Sequence, residues 1–75
     1  MERSVSDEQI AIRVNGQDRT VSAGMTVRGL LEFFELRPEL VVVERNRVIL
    51  TRDRYDAEPI EAGDTLELVH FVGGG

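Results

Sequence analysis

Residues 9–40 read "QIAIRVNGQDRTVSAGMTVRGLLEFFELRPEL", and two changes of period inside this stretch decide the fold. From Gln9 the chain alternates, with Ile10, Ile12 and Val14 on one face, as a half-buried strand requires. Asn15-Gly16 then supplies two residues that accept positive φ, the demand of a two-residue type I′ turn between strands. This predicts antiparallel strands over about 9–15 and 17–22. Beyond Ser22 the period lengthens: Val27, Leu30, Leu31 and Phe34 follow the i, i+3, i+4, i+7 spacing of one helix face. Thr26 is placed to cap that helix with its hydroxyl. Pro38 biases Arg37 out of the helical region and marks the expected stop. Gly29 weakens a helix interior by about 1 kcal/mol relative to alanine, so close packing of the helix on a sheet is the expected reason for it.

Working outward, "LVVVERN" and "RVIL" are β-branched runs with a turn around Arg45–Arg47. "TRDRYDAEPI" is polar and irregular, with room for one short helical turn. In "EAGDT", Gly63 suits positive φ and Asp64 is expected to bond the backbone that follows it. "TLELVHFV" is a last strand leading into three glycines. The order β-β-α-β-β-β describes an α+β domain in which a mixed sheet of about five strands packs on one helix. The last strand is expected at the centre, beside the first. Period two turns Leu66 and Leu68 toward the helix and Glu67, Val69 and Phe71 to the opposite face. A protein this small has no second layer to cover that face, so Val69 and Phe71 are expected to be partly exposed.

The chain has 75 residues, enough for one domain, with residues 1–8 expected as a loose arm, 9–72 as the fold and 73–75 as a flexible tail. It contains no cysteine, which excludes disulfides, thiolate zinc sites, cysteine-ligated clusters and a cysteine nucleophile. A net charge of −5, with arginines interleaved among acids, disfavours a phosphate backbone as ligand and suits a basic protein surface. All nine basic residues are arginine, so no side-chain amine is available for an isopeptide chain. No apolar run approaches the roughly 18 residues of a membrane span, and the polar start "MERSVSDEQ" lacks the apolar stretch of a secretory signal. A cytoplasmic location, with no nucleic acid and no membrane as partner, is the expectation.

These segments together carry a resemblance. The "VNGQ" hairpin, the "TVRGLLEFFEL" helix, the "VVVERN" strand, the "GD" turn and above all the ending "VHFVGGG" resemble the ThiS family, sulfur-carrier proteins of thiamine thiazole synthesis. The resemblance covers nearly the whole chain beyond its first eight residues or so. It implies a ubiquitin-like β-grasp fold and a protein that enzymes act on rather than an enzyme. It further implies that a ThiF-like adenylating enzyme activates the C-terminal carboxylate with ATP. A cysteine desulfurase or sulfurtransferase then supplies sulfur indirectly to form a thiocarboxylate, and a ThiG-like thiazole synthase consumes it. By the same resemblance Gly75 bears the sulfur, while Gly74 and Gly73 thread the chain end into partner enzymes. Glycine makes the narrowest thread, without Cβ atoms to clash in a closed site or crowd the carbonyl under attack. No metal and no resident cofactor is expected.

Other residues weigh less. His70, the lone histidine, reads as a strand residue rather than a catalytic base, and the acids Asp53, Asp56, Glu58 and Glu61 as a solvated loop without EF-hand spacing. Phe33, Phe34 and Leu36 read as core. Val69 and Phe71 read as a partner-facing patch, with Arg13 on the outer face of the first strand flanking it. Four further readings stay open. One is a MoaD-like carrier for molybdopterin synthesis, whose usual ending resembles "PVSGG" more than "HFVGGG". Another is a carrier serving a different sulfur product, the third is a ubiquitin-like modifier joined through Gly75 to a lysine, and the fourth is a plain β-grasp binding module whose tail does nothing.

Overall fold

In the computed structural model, which describes residues 8–71, the first strand β1 (Gln9–Val14) and β2 (Gln17–Ser22) form the expected hairpin. Val14 pairs with Gln17 around Asn15 and Gly16, whose φ angles of 51° and 81° make the positive pair of a type I′ turn. Of the arm read over residues 1–8, only Glu8 is described; its carbonyl accepts the Ala23 N–H at 2.9 Å. Residues 73–75 lie outside the described residues.

The helix α1 spans Val27–Phe33. Its first three N–H groups, which have no partner within a helix, are all satisfied. Val27 donates to the Glu58 carbonyl at 2.9 Å, Arg28 to the Tyr55 carbonyl at 3.0 Å, and Gly29 to the Thr26 hydroxyl at 3.0 Å. Val27, Leu30 and Leu31 are fully buried, each contributing roughly 1.5–3 kcal/mol of apolar burial. Two expectations for this helix are corrected. It ends at Phe33, well before Pro38, because Glu35 turns into the left-handed region at φ 62°. There Leu36 N–H donates to the Leu31 carbonyl and Glu35 N–H to the Glu32 carbonyl, a Schellman closure that satisfies the last turn. Gly29 is not explained by the sheet either: a Cβ there would meet Met25 Cγ at 3.2 Å and Thr26 Oγ1 at 3.4 Å, both in the cap itself. Phe33 is 63% exposed rather than in the core, because the helical period places it off the buried stripe of Val27, Leu30 and Leu31, whereas Phe34 and Leu36 pack against the core.

A 3-10 turn at Pro38–Leu40 leads into β3 (Val41–Arg45), which returns through Asn46-Arg47 to β4 (Val48–Leu50). Asn46 and Arg47 both carry positive φ, 52° and 73°, so this is a second two-residue hairpin made without glycine. The polar segment that follows holds a 3-10 turn, Arg52–Arg54, and seats Tyr55 in the core. The Tyr55 hydroxyl donates to the Val41 carbonyl at 2.8 Å, so its burial leaves no orphan polar atom. The last strand, β5 (Thr65–His70), lies between β1 and β3 in the sheet order β2-β1-β5-β3-β4, parallel to β1 and antiparallel to β3. One five-stranded mixed sheet thus covers one helix, and Ile12, Val14, Val21, Val41, Val43, Tyr55, Ile60 and Leu66 close the core against it.

Candidate functional site

The central strand that leads toward the glycines is held from both sides. Arg13 N–H donates to the Asp64 carbonyl and Asn15 N–H to the Leu66 carbonyl, each at 2.9 Å. Beyond the turn the Asn15 side chain takes over from the strand, its Oδ1 accepting the Leu68 N–H at 2.8 Å. On the other side Asn46 N–H donates to the Thr65 carbonyl, and Phe71 N–H to the Leu40 carbonyl, both at 2.8 Å. The backbone is therefore tied to the sheet as far as Phe71.

The alternation along β5 is the expected one. Leu66 is fully buried and Leu68 partly so, while Val69 is 52% and Phe71 55% exposed on the face away from α1. That face continues on β3 and β4, through residues the sequence reading did not single out. Val42 stands opposite Val69, Glu44 opposite Glu67, and Ile49 opposite Glu44. Val42 is half-buried and Ile49 exposed. Only cross-strand register brings these residues to Val69, and a single strand's period does not carry it. Glu44, Arg47, Thr65, Glu67 and Val69 line a shallow hollow beside the apolar residues.

Arg13 is not brought to this patch. It is on the same face but pairs with Thr65, four residues before Val69, a separation of roughly 13 Å along a strand. Its guanidinium bonds Asp18 at 3.2 Å instead. His70 is exposed opposite Val41, on the helix-side face and so away from Val69 and Phe71. Gly73, Gly74 and Gly75 lie outside the described residues.

The loop that launches β5 is built around one buried carboxylate. Asp64 is 6% exposed, and its Oδ2 accepts from Arg45 Nε at 3.0 Å and the Glu61 N–H at 2.9 Å, with Arg45 Nη2 2.9 Å away in the same ion pair. Its Oδ1 accepts from Asn46 Nδ2 at 3.1 Å, and the Asn46 Oδ1 in turn accepts the Thr65 N–H at 2.9 Å. The expected bond from Asp64 to the following backbone is thus replaced by one to the preceding Glu61, because positive φ at Gly63 folds the carboxylate back over its own turn. Arg45 completes the cluster through Glu58 Oε1 at 3.0 Å and the Pro59 carbonyl at 2.9 Å. Arg54 bonds the other Glu58 oxygen at 2.6 Å, and this hydrogen bond, with Arg45 adding to it, holds the Glu58 carboxyl below its usual range. The acids of residues 53–61 therefore serve a structural ion-pair cluster in part. Among the described residues no group of three or more acids or histidines is arranged for a metal ion, and no helix is long and apolar enough to cross a membrane.

Comparison with known proteins follows the same outline. The ThiS family model matches residues 12–75. The sulfur carrier protein ThiS of Bacillus subtilis is 37% identical over 65 residues, covering 85% of this chain and 98% of that protein. A thiazole synthase of Magnetococcus marinus is 42% identical over 64 residues, 85% of this chain, but the chain spans only 20% of that enzyme's length. Among solved structures, the crystal structure of the thiamine biosynthesis protein ThiS from Geobacter metallireducens superposes with a TM-score of 0.75 at 35% identity. It covers 88% of this chain and 100% of the other.

Proposed function

The chain belongs to the ThiS family, and from that membership we propose that it is a sulfur carrier for thiazole formation in thiamine biosynthesis, loaded at the Gly75 carboxylate. The observation that carries the reading is the construction of β5: its backbone is bonded into the sheet as far as Phe71, with Val69 and Phe71 exposed just ahead of "GGG". The folded domain is the handle by which partners hold the protein, and the chain end is the group they work on.

A terminal carboxylate has a reference pKa of about 3.3–3.7, so at neutral pH it is an anion and a poor electrophile. A ThiF-like adenylating enzyme overcomes this by letting a carboxylate oxygen attack the α-phosphorus of ATP, with pyrophosphate leaving. A sulfide donor then attacks the acyl carbon, expels AMP and leaves a thiocarboxylate. Within the pathway the sulfur originates at a cysteine desulfurase or sulfurtransferase. A ThiG-like thiazole synthase accepts it, a partner supported by the match to two thiazole synthases. Gly73 and Gly74 let the end enter both active sites as a bare backbone. The docking surface is Val69 and Phe71, extended by Val42 and Ile49; Arg13, turned to Asp18, is left outside it.

The test is an intact-mass measurement after incubation with the adenylating enzyme, ATP and inorganic sulfide. The expected result is one oxygen-for-sulfur exchange in the full chain and none in a chain whose Gly75 carboxylate is capped as an amide, with both chains equally folded. A capped chain that still gains sulfur refutes the assignment to Gly75.

A further inference from the structure

We propose that Glu44 and Glu67 together receive an arginine or lysine side chain of the enzyme that activates Gly75. The inference rests on the carrier reading and names the chemistry of its partner. The two glutamates are direct partners across β3 and β5, and period two puts both on the face away from α1. Like charges directly opposite on neighbouring strands destabilise a sheet. Several other acids meet an arginine: Asp64 and Glu58 share Arg45, Glu58 also holds Arg54, Glu32 and Asp56 share Arg28, and Asp18 and Glu39 have one each. Glu8, Glu35, Asp53 and Glu61 have no such partner among the described residues, but none of them faces another acid across a strand pair. Among the described residues Glu44 and Glu67 enter no ion pair. Arg47 lines the same hollow, but one guanidinium against two carboxylates leaves it acidic.

The surroundings say what kind of ligand this pair fits. On the next rung of the sheet stand Val42 and Val69, with Phe71 beyond; on the other side of Glu44 is Ile49. A partner that covers these apolar residues excludes water from the carboxylates between them. In that setting a charge pair is much stronger than in open solvent. Two carboxylates side by side match the several donors of a guanidinium or an ammonium group. The net charge of −5 attracts such a surface at longer range. A cross-strand repulsion kept in the free protein thus becomes an attraction once the partner's cation lies between the two groups.

The experiment measures sulfur loading by the adenylating enzyme with wild type, Glu44→Gln, Glu67→Gln and the double variant, at low and high salt. Glutamine keeps the size of each side chain and removes its charge. The double variant is expected to melt higher than wild type and to raise the KM for the carrier at least about tenfold at low salt. The difference is expected to shrink at high salt, where the wild-type pair is screened. An unchanged KM at both salt concentrations overturns the inference, as does a melting temperature that falls. Wild type that gains no sulfur at all refutes the carrier reading instead, so the two failures are distinguishable.

Discussion

Replacing Asp64 by alanine removes the acceptor on which the Arg45 guanidinium, one backbone N–H and one asparagine amide converge. Every one of these contacts is to an ionised carboxylate, where a single hydrogen bond is worth about 1.5–3 kcal/mol, but the contributions do not add, because the donors left behind regain water or keep other partners. Arg45 is only 16% exposed, yet it keeps Glu58 and the Pro59 carbonyl, so it is not stranded without partners. The expected loss is therefore about 3–4 kcal/mol, the lower part of the range for breaking a buried pair. A 75-residue domain has about 4–11 kcal/mol in all, so this variant loses at least about a quarter of its stability. Its melting temperature is expected to fall by about 12–32 °C. Asp64→Asn should lose less, about 2 kcal/mol: the amide oxygen retains Arg45 and Glu61, but its NH2 faces Asn46 Nδ2. Asn46 has no free rotation to answer this, because its own oxygen accepts the Thr65 N–H. Urea titration followed by far-UV circular dichroism measures these losses in a chain without tryptophan. Arg13→Ala is the control: it breaks the exposed pair with Asp18 and should cost less than about 1 kcal/mol. An Asp64→Ala variant within about 1 kcal/mol of wild type would refute the view that this carboxylate organises the launch of β5.

Glu35→Gly should stabilise the fold by about 0.5–1 kcal/mol in the same titration, since glycine removes the cost of a side chain at φ 62°; a loss would place unrecognised packing on Glu35. Acid stability should depend on Glu58. Its folded pKa is depressed, first by the Arg54 bond, so its contribution is full above the ordinary 4.5 and disappears as pH falls through the lowered folded value. Glu58→Gln should accordingly destabilise the protein at neutral pH and flatten the acid limb of the stability curve. Parallel curves for the two proteins would contradict this. Phe71→Asp should shift stability by no more than about 0.5 kcal/mol, yet raise the KM for sulfur loading at least about tenfold. A loss of stability without a change in KM would make Phe71 a core residue.

The elements legible in the sequence are those specified by neighbours along the chain. Asn15-Gly16 announces its hairpin, Thr26 its cap, and the alternation from Leu66 to Phe71 its two faces, because each depends on a few consecutive residues. What escaped depends on residues far apart. The Tyr55 hydroxyl finds a carbonyl fourteen residues earlier, and Asp64 finds Arg45 nineteen residues earlier. Glu35 ends the helix in a conformation that glutamate composition does not advertise, whereas the outward position of Phe33 follows from the helical period itself. At the candidate site Val69 and Phe71 follow from one strand's period. Val42, Glu44 and Ile49 join them only through the register of three strands, which also moves Arg13 away.

The most direct measurement of the carrier account is a single turnover with isotopically labelled sulfur. The chain, bearing a labelled thiocarboxylate at Gly75, is mixed with thiazole synthase and its remaining substrates. The account predicts that the label appears in the thiazole in step with its loss from the protein, whose mass returns to that of the free carboxylate. Thiazole formed without the label, or label retained on the chain while thiazole accumulates, would contradict it.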